Sequence, residues 1–461
     1  MASVPAEVIP EVVARLRDAQ SREPHPSVAT RVAWLRAIDE ALGRQANALC
    51  AAERTDLNKP EVETQLTEIS LCRAEARFLG RRLAGWARPR RVRSALLMFP
   101  SRSRVMPEPR GVVAVFGTWN YPILLCLRPV LAALAAGNRV VLKPSERAPA
   151  TSRALRELLQ AAVGDDVVAV VEGALPESQE LLRQRFDLLF YTGGAGGGRA
   201  VMRAAAEQLT PVVLEMGGKS PAIVVPGADL RVTAERIAWG KFLNAGQTCV
   251  APDFVCVPDG LHDAFVVELL SALRRFYPDA ATLARDYSKV AGRDLFDRLS
   301  ALAAAPGAVQ VGEPDPARLT LPPTVIPRSG WDDPAMRDEI FGPVLPVVAY
   351  ADLGELLATL RARPSPLAVY LFGGDAATIE RVRTGTRSGA IMVNDTVRHL
   401  SNPRLPFGGV GASGFGRYHG WYGFETFSHF RPVVERPLWF RLFDLFPPYG
   451  AYAERVRRWL S

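Results

Sequence analysis

Residues 111–143 read GVVAVFGTWNYPILLCLRPVLAALAAGNRVVLK. The first six form a short apolar run of buried-strand type. A turn signal at Gly117-Thr118-Trp119-Asn120 follows, and Tyr121-Pro122 puts proline where a helix can begin. Residues 123–136 are apolar almost throughout, which implies a helix buried on all sides. Gly137 ends it, and RVVLK at 139–143 returns as a second strand. Strand, buried helix and strand make a βαβ unit, in which the strands run parallel.

The alternation continues downstream. Helical patterns at 151–163, 177–184 and 199–209 separate strand-like runs at 167–171 (VVAVV), 187–191 (DLLFY) and 211–214 (PVVL). The expected fold class is α/β, a parallel sheet with helices on both faces. Ligands on such sheets bind beyond the carboxyl ends of the strands. Residues 118–121, 143–146, 192–198 and 215–218 should therefore line one rim. A second unit begins after Gly217-Gly218 with PAIVV at 221–225, and adds strands at 253–257, 368–372 and 390–394. Upstream the chain reads as helical. Val32, Leu35, Ile38 and Leu42 form one stripe with Thr30 as N-cap; Val62, Leu66, Ile69, Phe78, Leu83 and Trp86 form another. The Arg- and Pro-rich stretch 88–110 has no helical period and reads as an extended hairpin, with Leu96, Leu97, Met98 and Phe99 at its middle.

Composition narrows the function class. A chain of 461 residues implies two or three domains, and 48% hydrophobic with 23% charged content supplies a large core. Five cysteines are too few and odd for a disulfide framework, which points to a reducing, cytoplasmic setting. The N-terminus lacks the basic and apolar regions of a secretory signal, and no apolar run reaches spanning length. A net charge of +8 spread over this length implies a basic surface and no nucleic-acid partner.

Chemistry concentrates at strand ends. Residues 240–252 read GKFLNAGQTCVAP and place Cys249 on a glycine-containing joint between a helix and a strand. A thiol there can be exposed, and the thiolate is the nucleophile. A small buried hydrophobe is the alternative, and it fits Cys50, Cys72, Cys126 and Cys256. The turn TGGAGGG at 192–198 offers backbone N–H groups to a pyrophosphate, or is structural only. Lys143 and Glu146 suit ribose hydroxyls, or are solvated charges. Asn120 can donate to an oxyanion, or simply form a turn before Pro122. Glu215 and Glu339 can act as bases if half-buried, or can be bonded to backbone N–H groups. None of the five histidines stands in a motif that points to Cys249, no Cys/His cluster has zinc spacing, and no P-loop occurs. No metal is expected.

Seven stretches together resemble the aldehyde dehydrogenase superfamily, above all its class 3, the fatty, aromatic and coniferyl-type branch. They are PEPRG (107–111), WNYP (119–122), AAGNRVVLKPSE (135–146), EMGGKSP (215–221), WGKFLNAGQTCVAP (239–252), EIFGPVLP (339–346) and LPFGGVGASGFGRYHGWYG (405–423). The resemblance covers roughly residues 30–432. It implies a Rossmann-type cofactor domain (1–87 and 110–216), an α/β catalytic domain (217–396) and a small bridging or oligomerisation element (88–109 and 397–461). It also implies NAD as cofactor, with NADP possible, and a homodimer.

The implied reaction oxidises a medium- or long-chain aliphatic or an aromatic aldehyde to the carboxylate. Cys249 is the nucleophile, and Asn120 with the Cys249 N–H forms the oxyanion hole. Lys143 and Glu146 hold the adenine ribose, with Trp119, Thr192, Gly193, Gly194 and Gly198 along the cofactor turn. Glu339 and Phe341 position the nicotinamide ribose. Glu215 or Glu339 activates water, Glu339 being preferred for class 3, and Tyr121, Trp239 and Phe407 face the aldehyde. Thr118 and the glycines at 194, 196 and 197 depart from the family pattern, and extra glycine weakens cofactor binding through ordering entropy. Coenzyme A acylation and a catalytically silent binding or membrane-surface protein are the alternatives. Past the resemblance, residues 437–446 (PLWFRLFDLF) read as a helix with Trp439, Leu442, Phe443 and Phe446 on one face, followed by AERVRRWL at 453–460. This tail can complete a dimer core, roof a substrate tunnel, or lie on a membrane through Arg455, Arg457 and Arg458.

Overall fold

The computed structural model describes residues 5–441 and 446–460 and builds three sheets among them. The first has six strands in the order Gly414–Phe415, Val212–Glu215, Leu188–Thr192, Val112–Phe116, Arg139–Lys143 and Val168–Val170. All neighbours are parallel except the two-residue edge strand Gly414–Phe415. Val112–Phe116 lies in the middle because the chain winds outward through the next two strands and then crosses to its other side. That reversal opens a crevice between the ends of Val112–Phe116 and Leu188–Thr192, the place where a ligand can settle on a doubly wound sheet.

The helix Pro122–Ala136 is buried at every position, as its all-round apolar sequence requires. Gly137, at φ 96°, closes it by donating to the Ala133 and Leu134 carbonyls. The second sheet has seven strands in the order Val309–Gln310, Thr324–Ile326, Val344–Tyr350, Phe254–Pro258, Pro221–Val224, Ala368–Phe372 and Ala390–Val393. Only the first is antiparallel to its neighbour. The third sheet is the expected hairpin, Arg90–Val92 against Arg102–Pro109, extended by Ser428–Glu435 along the full length of Arg102–Pro109.

Four local expectations are corrected. The helix Val28–Arg44 is capped by Ser27, whose hydroxyl accepts from the Thr30 N–H, so Thr30 lies inside the first turn. Val62 and Leu66 are 67% and 63% exposed and join no core stripe, while Ile69 and Leu83 are buried. A π-helical turn, Gln65–Ile69, shifts the phase between them. The helix after the glycine turn is Ala195–Glu207, four residues longer at its start than its apolar pattern suggested. In the tail, residues 437–441 form no helix, and Leu438 and Trp439 stand exposed. So short a helix with no face to bury is marginal in water. Leu442 and Phe443 lie outside the described residues. The final helix, Gly450–Leu460, is present.

Candidate active site

Two cavities meet at Cys249. The first, of about 200 Å³, is lined by Thr118, Trp119, Asn120, Leu125, Thr192, Gly193, Gly194, Glu215, Met216, Gly217, Cys249, Glu339, Phe341, Leu367 and Phe407. It lies where the carboxyl ends of the first sheet face the amino ends of the second. Strands Val112–Phe116, Leu188–Thr192 and Val212–Glu215 deliver one side; the loops before Phe254, Val344 and Ala368 deliver the other. The second cavity, of about 350 Å³, is mostly apolar. Tyr121, Leu124, Trp239, Leu243, Phe407 and Tyr418 are among its walls, and Leu66 and Arg398 stand at its exposed side. Cys249, Leu125 and Phe407 belong to both cavities.

The loop carrying Cys249 is held under backbone strain. Asn244, Ala245 and Gly246 are consecutive left-handed residues, at φ 51°, 52° and 73°. For Asn and Ala that conformation costs of order 1 kcal/mol or more each, and such strain concentrates at functional sites. A Cβ on Gly246 would run into the Gly342 carbonyl, so glycine lets this loop touch the loop bearing Glu339. Asn244 Nδ2 donates to the carbonyls of Asn120 (2.7 Å) and Gln247 (3.3 Å), and Asn120 Nδ2 donates to the Gln247 carbonyl (3.0 Å). One N–H of the Asn120 amide is thereby fixed, and the second remains for a ligand. The Tyr121 hydroxyl bonds the Thr248 hydroxyl at 2.7 Å.

Behind this loop lies a buried charged cluster that the sequence did not single out. Lys59, fully buried, pairs with Glu53 (3.4 Å) and Glu68, and its ammonium sits 4.0 Å from the Tyr121 ring centre. Burial opposes its charge, yet Glu53 and Glu68 hold its pKa above the ordinary lysine value. Glu68 accepts from the N–H groups of Ile123 (2.9 Å) and Leu124 (3.0 Å), a carboxylate at the N-terminus of the central helix. Glu63 accepts from the Asn244 N–H at 3.0 Å. The cluster fixes Asn120, Tyr121 and Asn244 from the rear. The only signal in the sequence was three carboxylates and a lysine in an otherwise helical stretch, a pattern shared with any solvated face.

Burial disfavours charge on all three titratable groups of the site. Burial pushes the Cys249 thiol up to about 12, with the Glu339 and Glu215 charges adding to the effect. Burial alone pushes Glu215 well above the carboxylate range, and neither of its oxygens has a partner among the described residues. Burial, then Asp253, raises Glu339 to about 8, against the opposing Gly218 N–H, Lys219 and Lys241. Gly217 is where the Glu339 carboxylate fits, since a Cβ there would overlap it. Phe341, at φ 48°, packs edge-on to Trp119 with ring centres 5.5 Å apart.

The first cavity and the rim beyond it present polar groups open to a ligand. Gly194 and Gly196 have open space above them, Thr192 Oγ1 is buried without a partner, and the first N–H groups of the helix Ala195–Glu207 point outward from its N-terminus. Gly198 instead packs inward against Met216. The extra glycines are matched by Tyr191, whose hydroxyl bonds the Gly194 carbonyl at 3.1 Å and occupies the space a Cβ on Gly197 would need. Lys143 and Glu146 do not line the first cavity. They follow the next strand along the rim, with Lys143 Nζ donating to the Pro144 (2.8 Å) and Gly173 (2.6 Å) carbonyls and Glu146 exposed. Trp239 and Tyr121 line the second cavity, as expected, and none of the described tail residues does.

Sequence and structure comparisons agree with this arrangement. The pattern that defines the aldehyde dehydrogenase family matches residues 1–433. A probable coniferyl aldehyde dehydrogenase of Pseudomonas aeruginosa is 41% identical over 448 residues, covering 96% of this chain and 94% of its own. A dimeric, NADP-preferring aldehyde dehydrogenase of Canis lupus familiaris is 37% identical, covering 93% and 95%. A substrate-bound state of Staphylococcus aureus AldH superposes with a TM-score of 0.94 at 35% identity, covering 98% of this chain and 99% of that one. The fold, the convergence of strand ends on one cysteine and these matches lead to one conclusion: the chain belongs to the aldehyde dehydrogenase family, is similar above all to its class 3 members, and oxidises an aldehyde with NAD(P).

Proposed function

We propose that Cys249 carries the reaction, on the observation that it stands in the wall common to the two cavities. The aldehyde enters through the apolar cavity, and Thr192, Gly193, Gly194, Glu339 and Phe341 in the walls of the smaller one would hold the dinucleotide on the other side of the sulfur. Glu339 takes the thiol proton and releases it to solvent. The sulfur adds to the carbonyl, and the oxyanion of the thiohemiacetal rests on the free N–H of Asn120 and on the Cys249 N–H. NAD(P), when bound, would supply the acceptor for the hydride that leaves that carbon. Glu339 then removes a proton from water, which attacks the resulting thioester, and the carboxylate leaves as the Cys249 sulfur is set free. Glu339 is favoured over Glu215 because a carboxyl raised to about 8 titrates near neutral pH, while burial, with no hydrogen-bond donor among the described residues, pushes Glu215 well above the carboxylate range. The apolar cavity of about 350 Å³ suits a medium- or long-chain aliphatic or an aromatic body.

The cofactor preference in this reading is NAD. Glu146 sets a carboxylate at the rim, and its neighbour Arg147 is already engaged by both oxygens of Asp294, at 3.0 and 2.8 Å. With Arg147 held by Asp294, the Glu146 carboxylate repels a 2′-phosphate. In this reading residues 1–87 and 110–216 hold the cofactor, 217–396 the catalytic cysteine, and 88–109 with 397–461 bridge them; a separate sheet in each supports it, with Gly414–Phe415 crossing over to edge the first sheet. A homodimer completes the reading, supported by the exposed Leu96, Leu97 and Phe99 at the hairpin and by Trp439 beside them.

Mass spectrometry of a quenched Glu339→Gln reaction tests the mechanism. With aldehyde and NAD, the peptide containing Cys249 should gain the mass of the acyl group. An unmodified Cys249 peptide during measurable NADH formation refutes it. Light scattering tests the dimer: Leu97→Asp should shift the protein toward monomer, and an unchanged mass removes the hairpin from the interface.

A further inference from the structure

The apolar cavity contains one group that a hydrocarbon cannot satisfy. Arg128 lies on the central helix, is 2% exposed, and lines the wall shared with Leu124, Leu125, Phe407 and Tyr418. One terminal nitrogen donates to the Leu400 carbonyl (3.1 Å) and to His419 Nε2 (2.7 Å). Its Nε is buried without a partner, and among the described residues no carboxylate reaches ion-pair distance. Glu75 lies close enough for the Arg128 charge to oppose the burial that raises its pKa; one of its oxygens accepts from the Gly420 N–H at 2.6 Å, and the other has no hydrogen-bond partner among the described residues. The two imidazoles beside it bring no negative charge. Burial, then the Arg128 charge, holds His419 well below the ordinary histidine value, and burial lowers His399 to about 4.

The donors of this guanidinium that Leu400 and His419 leave unused depend on whatever fills the cavity. A plain hydrocarbon strips that solvation and returns nothing, a cost of the kind that makes buried unpaired charge unfavourable. An oxygen acceptor on the ligand restores it with a charge-assisted hydrogen bond. Arg128 is set back from the reacting centre: roughly 10 Å of helix rise separates it from Tyr121, whose hydroxyl touches Thr248. The acceptor therefore belongs several carbons from the aldehyde. Arg398, the other arginine of this cavity, is exposed, stacks over Trp239 at 4.9 Å and lies 3.4 Å from Asp395, so it marks the mouth.

We propose that Arg128 is a specificity residue that selects aldehydes bearing an oxygen acceptor, a carboxylate above all, at the end remote from the carbonyl. This rests on the reading that Cys249 attacks an aldehyde entering through this cavity. The test compares octanal with its terminal hydroxy and terminal carboxylate derivatives. For the unaltered enzyme, kcat/KM should rise from octanal to the hydroxy to the carboxylate compound, the last by about 10²-fold. Arg128→Met should erase that order by slowing the oxygenated members, with octanal unchanged or faster. Cofactor binding, followed by quenching of protein fluorescence, should stay intact and reports that the variant is folded.

If Arg128→Met does not fold, calorimetry on the unaltered enzyme replaces it: octanedioate should bind at least tenfold more tightly than octanoate. A preference for the hydroxy compound equal to that for the carboxylate assigns a neutral acceptor. Equal rates for all three, equal binding of the two acids, or an equal loss for all three in Arg128→Met overturns the proposal and leaves Arg128 as an anchor for Leu400 and His419. Failure of every aldehyde to react would instead overturn the reading of Cys249.

Discussion

The two cavities that meet at Cys249 are built from different materials. The smaller one is made largely of chain turns at the ends of strands, with the stretches 118–120, 192–194 and 215–217 and the pair Glu339 and Phe341 among its walls. The apolar one is made of side chains from separate helices and loops, among them Leu66, Leu124, Trp239, Leu400 and Tyr418. A bound dinucleotide needs backbone N–H groups and room for phosphates, which local turns supply. An aldehyde body needs shape, which only packing between distant segments supplies. The difference teaches that one side of the enzyme is fixed by local chain geometry, and the other is free to vary with its side chains.

The shared wall is the place to break the comparison outright. Cys249→Ala should lower turnover by about 10⁴ or more, with the thermal midpoint little changed, because no second thiol lines either cavity. Turnover above a few per cent would show that the nucleophile lies elsewhere. Glu339→Gln acts on the polar side after the hydride has left. Steady-state turnover should fall by about 10²–10³, while a burst of NADH persists.

The same carboxyl gives the sign of the pH dependence. Its base form is the ionised one, and its pKa is raised to about 8, so deacylation should speed up as pH rises through that value. Glu339→Gln should remove this limb. A limb that survives in Glu339→Gln and disappears in Glu215→Gln would transfer the role to Glu215.

Asn120→Ala tests the oxyanion donor, with an expected loss in kcat of about 10²–10³ and little change in cofactor KM. A change confined to the cofactor would make Asn120 a structural residue. Trp239→Ala should act on the apolar side alone, raising KM for a long aldehyde roughly tenfold and leaving a short aldehyde and NAD unaffected. Equal effects on long and short aldehydes would mean that the two cavities are not independent. The smallest effect is expected at the rim, where Glu146→Gln should improve kcat/KM for NADP about three- to tenfold relative to NAD. No change would place the 2′-phosphate away from Glu146.

Much of the polar side was legible because its residues follow strands that announce themselves. Asn120 comes after GVVAVF, Thr192 after DLLFY and Glu215 after PVVL, and parallel strands put such ends on one rim. Gly198 shows the limit of reading a glycine turn: the helix starts four residues earlier than its apolar pattern, because small residues carry no periodicity. Lys59 and Glu68 were illegible for a different reason. Buried ion pairs look like surface charges until the segments that cover them are known, and a π-helical turn moved Glu68 onto the N-terminus of the central helix. Arg128 was hidden inside a run read as apolar.

The sequence by itself determined the parallel sheet and the central buried helix, since each rests on local pattern: runs of β-branched residues and an unbroken apolar stretch. Tertiary structure alone decided that the carboxyl ends of one sheet face the amino ends of another, that Cys249 stands between two cavities, and that Arg128 lines one of them. Those are properties of segments brought together from as far apart as Leu66 and His419. Burial and charge depend on what covers a residue, and no window of sequence contains its cover.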